Sequence, residues 1–154
     1  MRLELTHRGD YAVRAMLALS QADPGSGRLS VRRIAAEMSI PVAFLPRVMR
    51  NLVAAGLVDA ASGRAGGYRL ARPPADVSVL QIIDSVEGTG RRATCVLRSG
   101  PCEAGARCAA HDVFFVAREA MLDQLRGASL ADLARPNGAA LKAAEGPTRS
   151  PVRG

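Results

Sequence analysis

The stretch from Ser30 to Arg72 constrains the fold most, because two short helical patterns are followed there by a glycine-rich hairpin. Residues 30–38, SVRRIAAEM, start with a serine suited to cap a helix and repeat apolar side chains at three- and four-residue spacing. The tripeptide SIP interrupts this pattern, which then resumes up to about Ala55. Residues 56–73, GLVDAASGRAGGYRLARP, form two extended segments around the turn SGRAGG. This order of elements predicts a winged helix-turn-helix.

Helical patterns flank this unit on both sides. One runs from about Thr6 to Gln21, and another starts at the capping residue Ser78 and ends at Gly88. A longer apolar pattern covers residues 111–126 and is followed by the short helical segment SLADLA. We therefore predict an α+β, mostly helical fold with four regions: a winged helix-turn-helix DNA-binding domain (1–88), a cysteine-bearing loop (89–110), a long-helix region (111–135) and a disordered tail (136–154).

Pro46 leaves two starting points open for the helix that follows SIP. Proline fits the first turn of a helix, which needs no amide donor there, but not a deeper position. The helix therefore begins near Ala43 with a distortion at Pro46, or it begins later. Its spacing predicts an inward face and an outward face, made respectively of Leu45, Val48, Met49, Leu52 and Val53, and of Ala43, Pro46, Arg47, Arg50, Asn51 and Ala54.

The charge of the chain is concentrated in the same stretch. The net charge is +7, and residues 28–72 hold eight arginines against only Glu37 and Asp59, so they carry +6 of that total. High-GC codon usage also enriches arginine, but it does not concentrate the charge in one segment. The distribution favours a polyanionic partner, and we expect double-stranded DNA.

The predicted fold assigns DNA contacts to particular side chains. Arg47 and Arg50 lie on the outward face of the helix expected in the major groove, where arginine binds guanine edges or phosphates. Ala43 and Phe44 at its start can touch a thymine methyl group or pack on the DNA backbone. Arg64 at the hairpin tip suits a narrow minor groove. Arg33 and Gly66 are the remaining candidates for DNA contacts. The alternative for the arginines of the helix is that they form a solvated basic face, and the alternative for the hairpin is that it is an ordinary surface hairpin.

All three cysteines lie in one short loop, CVLRSGPCEAGARCAAHD, with the spacing C-x6-C-x5-C-x2-H. Thiolates gathered in a reducing compartment indicate a metal, redox chemistry or an inert buried thiol. Zinc accepts three cysteines and a histidine, but structural zinc sites usually pair their ligands two to four residues apart. The wider gaps here favour a larger group, an iron–sulfur cluster, with zinc as the alternative.

The N-terminal residues and the composition narrow the location and the class of protein. The opening MRLELTHRGDYAVRAML has scattered charges and resembles no signal or transit peptide, and no later segment is apolar enough to span a membrane. We therefore expect a cytoplasmic protein without a membrane partner. No acid–base pair accompanies the cysteines and no phosphate-binding loop is present, so we expect neither an enzyme nor a small-molecule substrate. An electron carrier and a protein-interaction adaptor remain as rival classes.

Residues 1–133 resemble the winged-helix iron–sulfur regulators of the IscR/NsrR type, which are homodimeric bacterial repressors and activators. The likeness rests on MRL, GDYAVRAML, IAAEMSIPVAFLPRVMRNLVAAGLV and GRAGGYRLAR, and most specifically on the three cysteines with a histidine before a long helix. It implies a homodimer joined by the long helix, which binds a roughly palindromic operator. It also implies that an iron–sulfur cluster senses iron–sulfur status, nitric oxide or redox state.

The resemblance assigns the metal ligands position by position. Cys95, Cys102 and Cys108 match the three thiolate ligands, and His111 matches the histidine that completes a [2Fe–2S] site in IscR-like members. The first cysteine gap is six residues where those members have five. In NsrR-like members, an aspartate of the first helix reaches a [4Fe–4S] cluster from the partner subunit, and Asp10 occupies that position here. We expect His111 and a [2Fe–2S] cluster, with Asp10 as the alternative fourth ligand.

Overall fold

The structure, a computed structural model, describes residues 5–22, 27–88 and 109–135. The three cysteines and the predicted tail, residues 136–154, lie outside this part of the chain. The elements, in chain order, are α1 (His7–Ser20), α2 (Val31–Met38), α3 (Leu45–Ala54), β1 (Val58–Ala61), β2 (Gly67–Leu70), a 3-10 turn (Pro74–Asp76), α4 (Val79–Glu87), α5 (His111–Gly127) and α6 (Leu130–Leu133). The predicted α+β, mostly helical fold with a winged helix-turn-helix is confirmed.

Helix α1 is the centre of the hydrophobic core. Thr6 caps it by accepting a hydrogen bond from the amide of Gly9, and eight of its 14 residues are buried. Helices α2, α3, α4 and α6 and strand β2 all pack against it. Met16 is fully buried. Because each of these elements has an apolar face that fits against α1, the winged-helix part of the chain, residues 5–88, builds most of the core, and α6 adds the fully buried Leu130 to it.

The helix-turn-helix starts at the predicted cap and turns through a left-handed residue. The Ser30 hydroxyl accepts a hydrogen bond from the amide of Arg33, and α2 ends at Ser39, whose φ is 52°. Helix α3 begins at Leu45, so Pro46 lies in its first turn. Of the two predicted starts, the later one is confirmed. One predicted inward residue is wrong: Val53 is 36% exposed, because α3 buries only a narrow face.

The hairpin after α3 is the wing. Strands β1 and β2 pair antiparallel, with Val58 opposite Leu70, and Leu29 extends the sheet by exchanging two 2.9 Å hydrogen bonds with Tyr68. Two glycines are required for this geometry. A Cβ atom on Gly66 would lie 2.5 Å from the carbonyl oxygen of Ala61, and one on Gly67, whose φ is +137°, would lie 2.6 Å from that of Leu29.

Most of helix α5 lies outside this core, although its Leu125 packs against it. It packs on α4, but Leu122 is its only buried residue among 17. The chain after α5 returns to α4 through a bridge between Ser78 and Ser129. Ser129 then caps α6, and its hydrogen bonds to the Asp132 carboxylate hold the pKa of that group below its ordinary value. Helix α5 begins directly after the cysteine-bearing region, and because only Leu122 is buried, most of its surface is left uncovered by the described chain.

Candidate nucleic-acid interface and metal ligands

The eight arginines of residues 28–72 divide into two groups according to their contacts. Arg28 donates a 2.8 Å hydrogen bond to the carbonyl oxygen of Asp59, and Arg69 forms an ion pair with the Asp59 carboxylate. Arg33 pairs with Glu37 at 2.8 Å, and the half-buried Arg72 has an Nε atom without a hydrogen-bond partner among the described residues. The exposed arginines without a hydrogen bond or ion pair to another described residue are Arg32, Arg47, Arg50 and Arg64.

The outward face of α3 carries two of these arginines. Arg47 and Arg50 are exposed and Asn51 is half-buried, while the opposite face buries Leu45, Val48, Met49 and Leu52 in the core. Since the core holds α3 from behind, its arginines are presented to solvent on a rigid element. Such a face can donate hydrogen bonds to guanine edges and to phosphate oxygens.

The two residues before α3 have different surroundings. Ala43 is exposed in the turn between the helices. Phe44 is 60% exposed, and its ring lies 6.1 Å from that of Tyr11 on α1, measured between ring centroids. Phe44 therefore has one side against α1 and one side open to solvent. Nothing in the residue pattern around Phe44 indicated Tyr11, because the two lie 33 positions apart.

The wing presents Arg64 at its tip. Arg64 is exposed between Gly63 and Ala65, and the amide of Gly66 closes the turn with a 2.9 Å hydrogen bond to the Gly63 carbonyl. Gly66 is thus needed for the turn itself, whatever it contacts in a complex. The roles predicted for these residues and for Arg33 in DNA binding stay predictions.

The predicted metal ligands are only partly within the described residues. His111 is the first residue of α5, half-buried, with its ring stacked 5.9 Å from that of Phe115. It shares the helix face that turns toward the rest of the chain with Phe114, Arg118, Leu122 and Leu125. Within residues 5–22, 27–88 and 109–135, no three His, Cys, Asp or Glu side chains form a group suited to a metal ion.

Asp10, the alternative ligand, lies in the first turn of α1 and is held by an arginine. Arg14 Nε donates a 2.9 Å hydrogen bond to Asp10 Oδ1, and Arg14 Nη1 reaches the Met38 carbonyl at 3.4 Å. Met38 is the last residue of α2. The i, i+4 spacing of Asp10 and Arg14 signals this ion pair in the sequence, but the contact with Met38 depends on the tertiary fold.

Glu87 makes a long-range contact that sequence reasoning missed. Its Oε1 atom accepts hydrogen bonds from the amide of Thr6 at 3.1 Å and from the Thr6 hydroxyl at 2.6 Å, across 81 positions. Glu87 is the last residue of α4, just before the predicted cysteine-bearing loop. The start of α1 is therefore anchored to the point where that loop leaves the winged-helix part.

A winged helix with an exposed basic face on α3, the second helix of its helix-turn-helix, defines a class, the DNA-binding regulators. The model of the Rrf2 family, described as an iron-dependent transcriptional regulator, matches residues 5–136. The chain belongs to the Rrf2 family. It is a transcriptional regulator that binds DNA and not an enzyme, as predicted, because the family and the relatives below are named as regulators.

Individual relatives agree with this assignment. An HTH-type transcriptional regulator of Neisseria meningitidis serogroup A is 33% identical over 129 residues, 83% of this chain and 85% of the relative. The HTH-type transcriptional regulator IscR of Aliivibrio salmonicida is 30% identical over 131 residues, 85% of this chain and 77% of the relative. The predicted resemblance to IscR-type regulators is confirmed.

Solved structures share the fold. T. potens IscR superposes with a TM-score of 0.71 at 28% identity, covering 94% of each chain. CymR, the global cysteine regulator of B. subtilis, superposes with a TM-score of 0.71 at 26% identity, covering 86% of this chain and 97% of its own.

No helix among the described residues is long and apolar enough to cross a membrane.

Proposed function

We propose that this regulator senses iron–sulfur, nitric oxide or redox status through an iron–sulfur cluster and controls operator binding as a homodimer in the cytoplasm. One observation carries the proposal. Cys95, Cys102 and Cys108 fall between the winged-helix part and α5, and His111 is the first residue of α5. A group bound there would connect the part that binds DNA with the helix that we assign to the dimer interface.

The donor set fits the proposed group. Three thiolates and one imidazole are the ligands that iron–sulfur clusters accept, and a histidine ligand raises their reduction potential. When bound, the group supplies a redox-active and nitric-oxide-reactive centre. Zinc accepts the same four ligands and is the alternative. Cys95, Cys102 and Cys108 would hold the group, and the sequence position of His111 at the start of α5 would make that helix its fourth attachment.

His111 is preferred over Asp10 as the fourth ligand because of its place in the chain. It follows Cys108 by three residues, and its ring is packed on Phe115. Asp10 is already paired with Arg14, so it would have to exchange that ion pair for a metal bond. The preference for His111 also favours [2Fe–2S] over [4Fe–4S].

We assign the dimer interface to the uncovered face of α5. Val113 and Val116, 72% and 66% exposed, lie with Ala117 and Ala120 in one stripe at helical spacing. Exposed apolar stripes of this kind mark interfaces, and in a symmetric dimer the same stripe meets its copy. Two copies of the winged-helix part would then face two halves of a roughly palindromic operator.

Contacts within the chain connect the cysteine-bearing loop with helix α3. Glu87 joins the start of the cysteine-bearing loop to Thr6, and α1 packs directly on α2 and α3. A change in the order of that loop would therefore act on α1 and, through it, on the position of α3. Affinity for DNA changes if the two arrangements of the loop differ in stability and in the spacing of the two α3 helices.

The experiment is anaerobic absorption and Mössbauer spectroscopy of the native protein beside His111→Ala and Asp10→Ala, with iron and acid-labile sulfide measured on the same samples. We expect iron and sulfide in the native protein, an altered spectrum for His111→Ala and an unaltered one for Asp10→Ala. The reverse pattern would assign the fourth ligand to Asp10. A colourless native protein with stoichiometric zinc would contradict the proposal and favour the structural zinc site.

A further inference from the structure

A groove of about 240 Å³ separates the first turn of α1 from α3. Its lining includes His7, Arg8 and Tyr11 from α1, and Phe44, Arg47 and Asn51 from the start and outward face of α3. The three α1 residues belong to none of the predicted DNA contacts. The groove therefore raises the question of what occupies it when the regulator is bound to its operator.

The walls of the groove are aromatic. The His7 and Tyr11 rings stack with their centroids 6.1 Å apart, and Tyr11 lies at the same distance from Phe44. These three rings form a continuous row from α1 to the start of α3. Phe44 is 60% exposed at the end of this row. An apolar surface kept open in this way indicates a site that is covered by a partner.

The charge of the groove indicates an anionic partner. Arg8 and Arg47 line it, and no aspartate or glutamate of the described residues does. Arg8 is exposed and makes no hydrogen bond or ion pair with another residue in the described parts of the chain. The nearest acidic residue in sequence, Asp10, is engaged by Arg14. Two guanidinium groups that pair with no other described residue, beside aromatic walls, complement a chain of phosphates and sugars.

The groove is continuous with the DNA-binding face, because Arg47 and Asn51 belong to both. The first turn of α1 lines the same groove as α3, so with α3 in the major groove it would lie near the strand that borders the major groove. We propose that the groove holds a segment of the operator's sugar–phosphate backbone. Arg8 binds a phosphate, and the rings of Tyr11 and Phe44 pack on the adjoining deoxyribose. The inference rests on the proposed operator binding and adds a contact to it.

Such a contact has a distinct signature, because a phosphate carries no sequence information. Removing Arg8 should weaken binding to the operator and to unrelated DNA by the same factor. Each lost phosphate contact lowers the salt dependence of binding, the slope of log K against log salt concentration, by about 0.9. Changing a residue that contacts base edges reduces the preference for the operator instead.

The test compares Arg8→Ala with Arg126→Ala, which removes the same charge from an exposed position on α5. The operator is first selected with the native protein from random duplexes, and dissociation constants are measured on it and on a scrambled duplex at several salt concentrations. We expect about threefold to tenfold weaker binding to both duplexes for Arg8→Ala, with the salt slope smaller by about 0.9, and no change for Arg126→Ala. Equal behaviour of the two variants would overturn the proposal.

Ethylation interference on the selected operator provides the positional readout. The native protein should be blocked by ethylation at a phosphate bordering the α3 contact, and Arg8→Ala should lose sensitivity at that phosphate alone. Phe44→Leu, which keeps an apolar side chain but removes the ring, should weaken binding without shifting the pattern. An unchanged interference pattern for Arg8→Ala would contradict the groove contact while leaving operator binding intact. If the native protein selects no operator, the proposed function itself fails.

Discussion

Helices α1 and α5 are the two longest in the described chain, and they use their apolar residues in opposite ways. Helix α1 buries eight of its 14 residues and contacts most of the other elements. Helix α5 buries one of 17, although it carries Val113, Phe115, Val116 and Met121. Both sequences repeat apolar residues at helical spacing, so the pattern alone does not distinguish them.

The difference shows which part of the molecule is complete within one chain. The apolar residues of helix α1 are buried by other elements of the same chain, α6 among them. Helix α5 leaves several apolar side chains exposed together, and burial of such surface stabilises association by about 25 cal/mol per Å². We therefore expect substitutions in α1 to change folding and substitutions on the uncovered face of α5 to change assembly.

The largest effect should come from truncating the core of α1. Met16 is fully buried, so Met16→Ala should lower the free energy of unfolding by about 2–5 kcal/mol through lost burial and a residual cavity. Met121→Ala, the same substitution at a residue of α5 that is 41% exposed, should lower it by less than about 1 kcal/mol. Denaturant titrations followed by circular dichroism measure both values, and similar losses would remove the distinction between the helices.

The next effect is on assembly. Val116→Asp places a charge in the centre of the apolar stripe, so the dimer dissociation constant should rise at least about tenfold while the fold is retained. Sedimentation velocity of the full chain measures the change. Val42→Asp is the matched control, because Val42 is 50% exposed but lies in the turn before α3. A Val116→Asp protein that remains dimeric at the native concentration dependence would refute the assignment of α5.

A smaller effect concerns the anchor of α1. Glu87→Ala removes the acceptor of two hydrogen bonds from Thr6, in a part-buried position, so the loss of unfolding free energy should be about 1–2 kcal/mol. Glu37→Ala removes an exposed ion pair with Arg33 and should cost less than about 0.5 kcal/mol. Thermal and chemical denaturation of the pair of variants checks the order, and a larger loss for Glu37→Ala would argue against the anchor.

The smallest effect is a gain in stability. Ser39 ends α2 with φ at 52°, a conformation that glycine adopts without the steric cost of a Cβ atom. Ser39→Gly should therefore raise the free energy of unfolding by about 0.5 kcal/mol, whereas the β-branched Ser39→Val should lower it. Denaturant midpoints measured side by side would show the reverse order if the left-handed turn carries no cost.

Much of the fold could be predicted from local sequence. Ser30 and Ser78 cap helices as expected, and Pro46 lies in the first turn of α3. These signals act within three or four residues, so the sequence around them contains the whole interaction. Val53 was assigned inward wrongly, because periodicity sets the direction of a side chain but not the extent of the surface that covers it.

The candidate site was predictable in its residue types and less so in its contacts. Arginines mark the basic stretch, but whether one is engaged depends on residues far along the chain: Arg28 binds the Asp59 carbonyl, 31 positions away. The groove beside α3 and the bond between Glu87 and Thr6 arise only when α1, α3 and α4 meet. No local sequence pattern predicts these tertiary contacts.

The central claim is that the cysteine-bearing region senses iron–sulfur or redox status and controls the winged-helix part. The most direct test measures operator affinity under anaerobic conditions for the native protein, before and after removal of its iron, beside Cys102→Ala. We predict that iron removal changes the dissociation constant at least about tenfold, within the usual range of allosteric coupling, and that Cys102→Ala has the iron-free affinity throughout. Identical affinities for all three samples would contradict the claim.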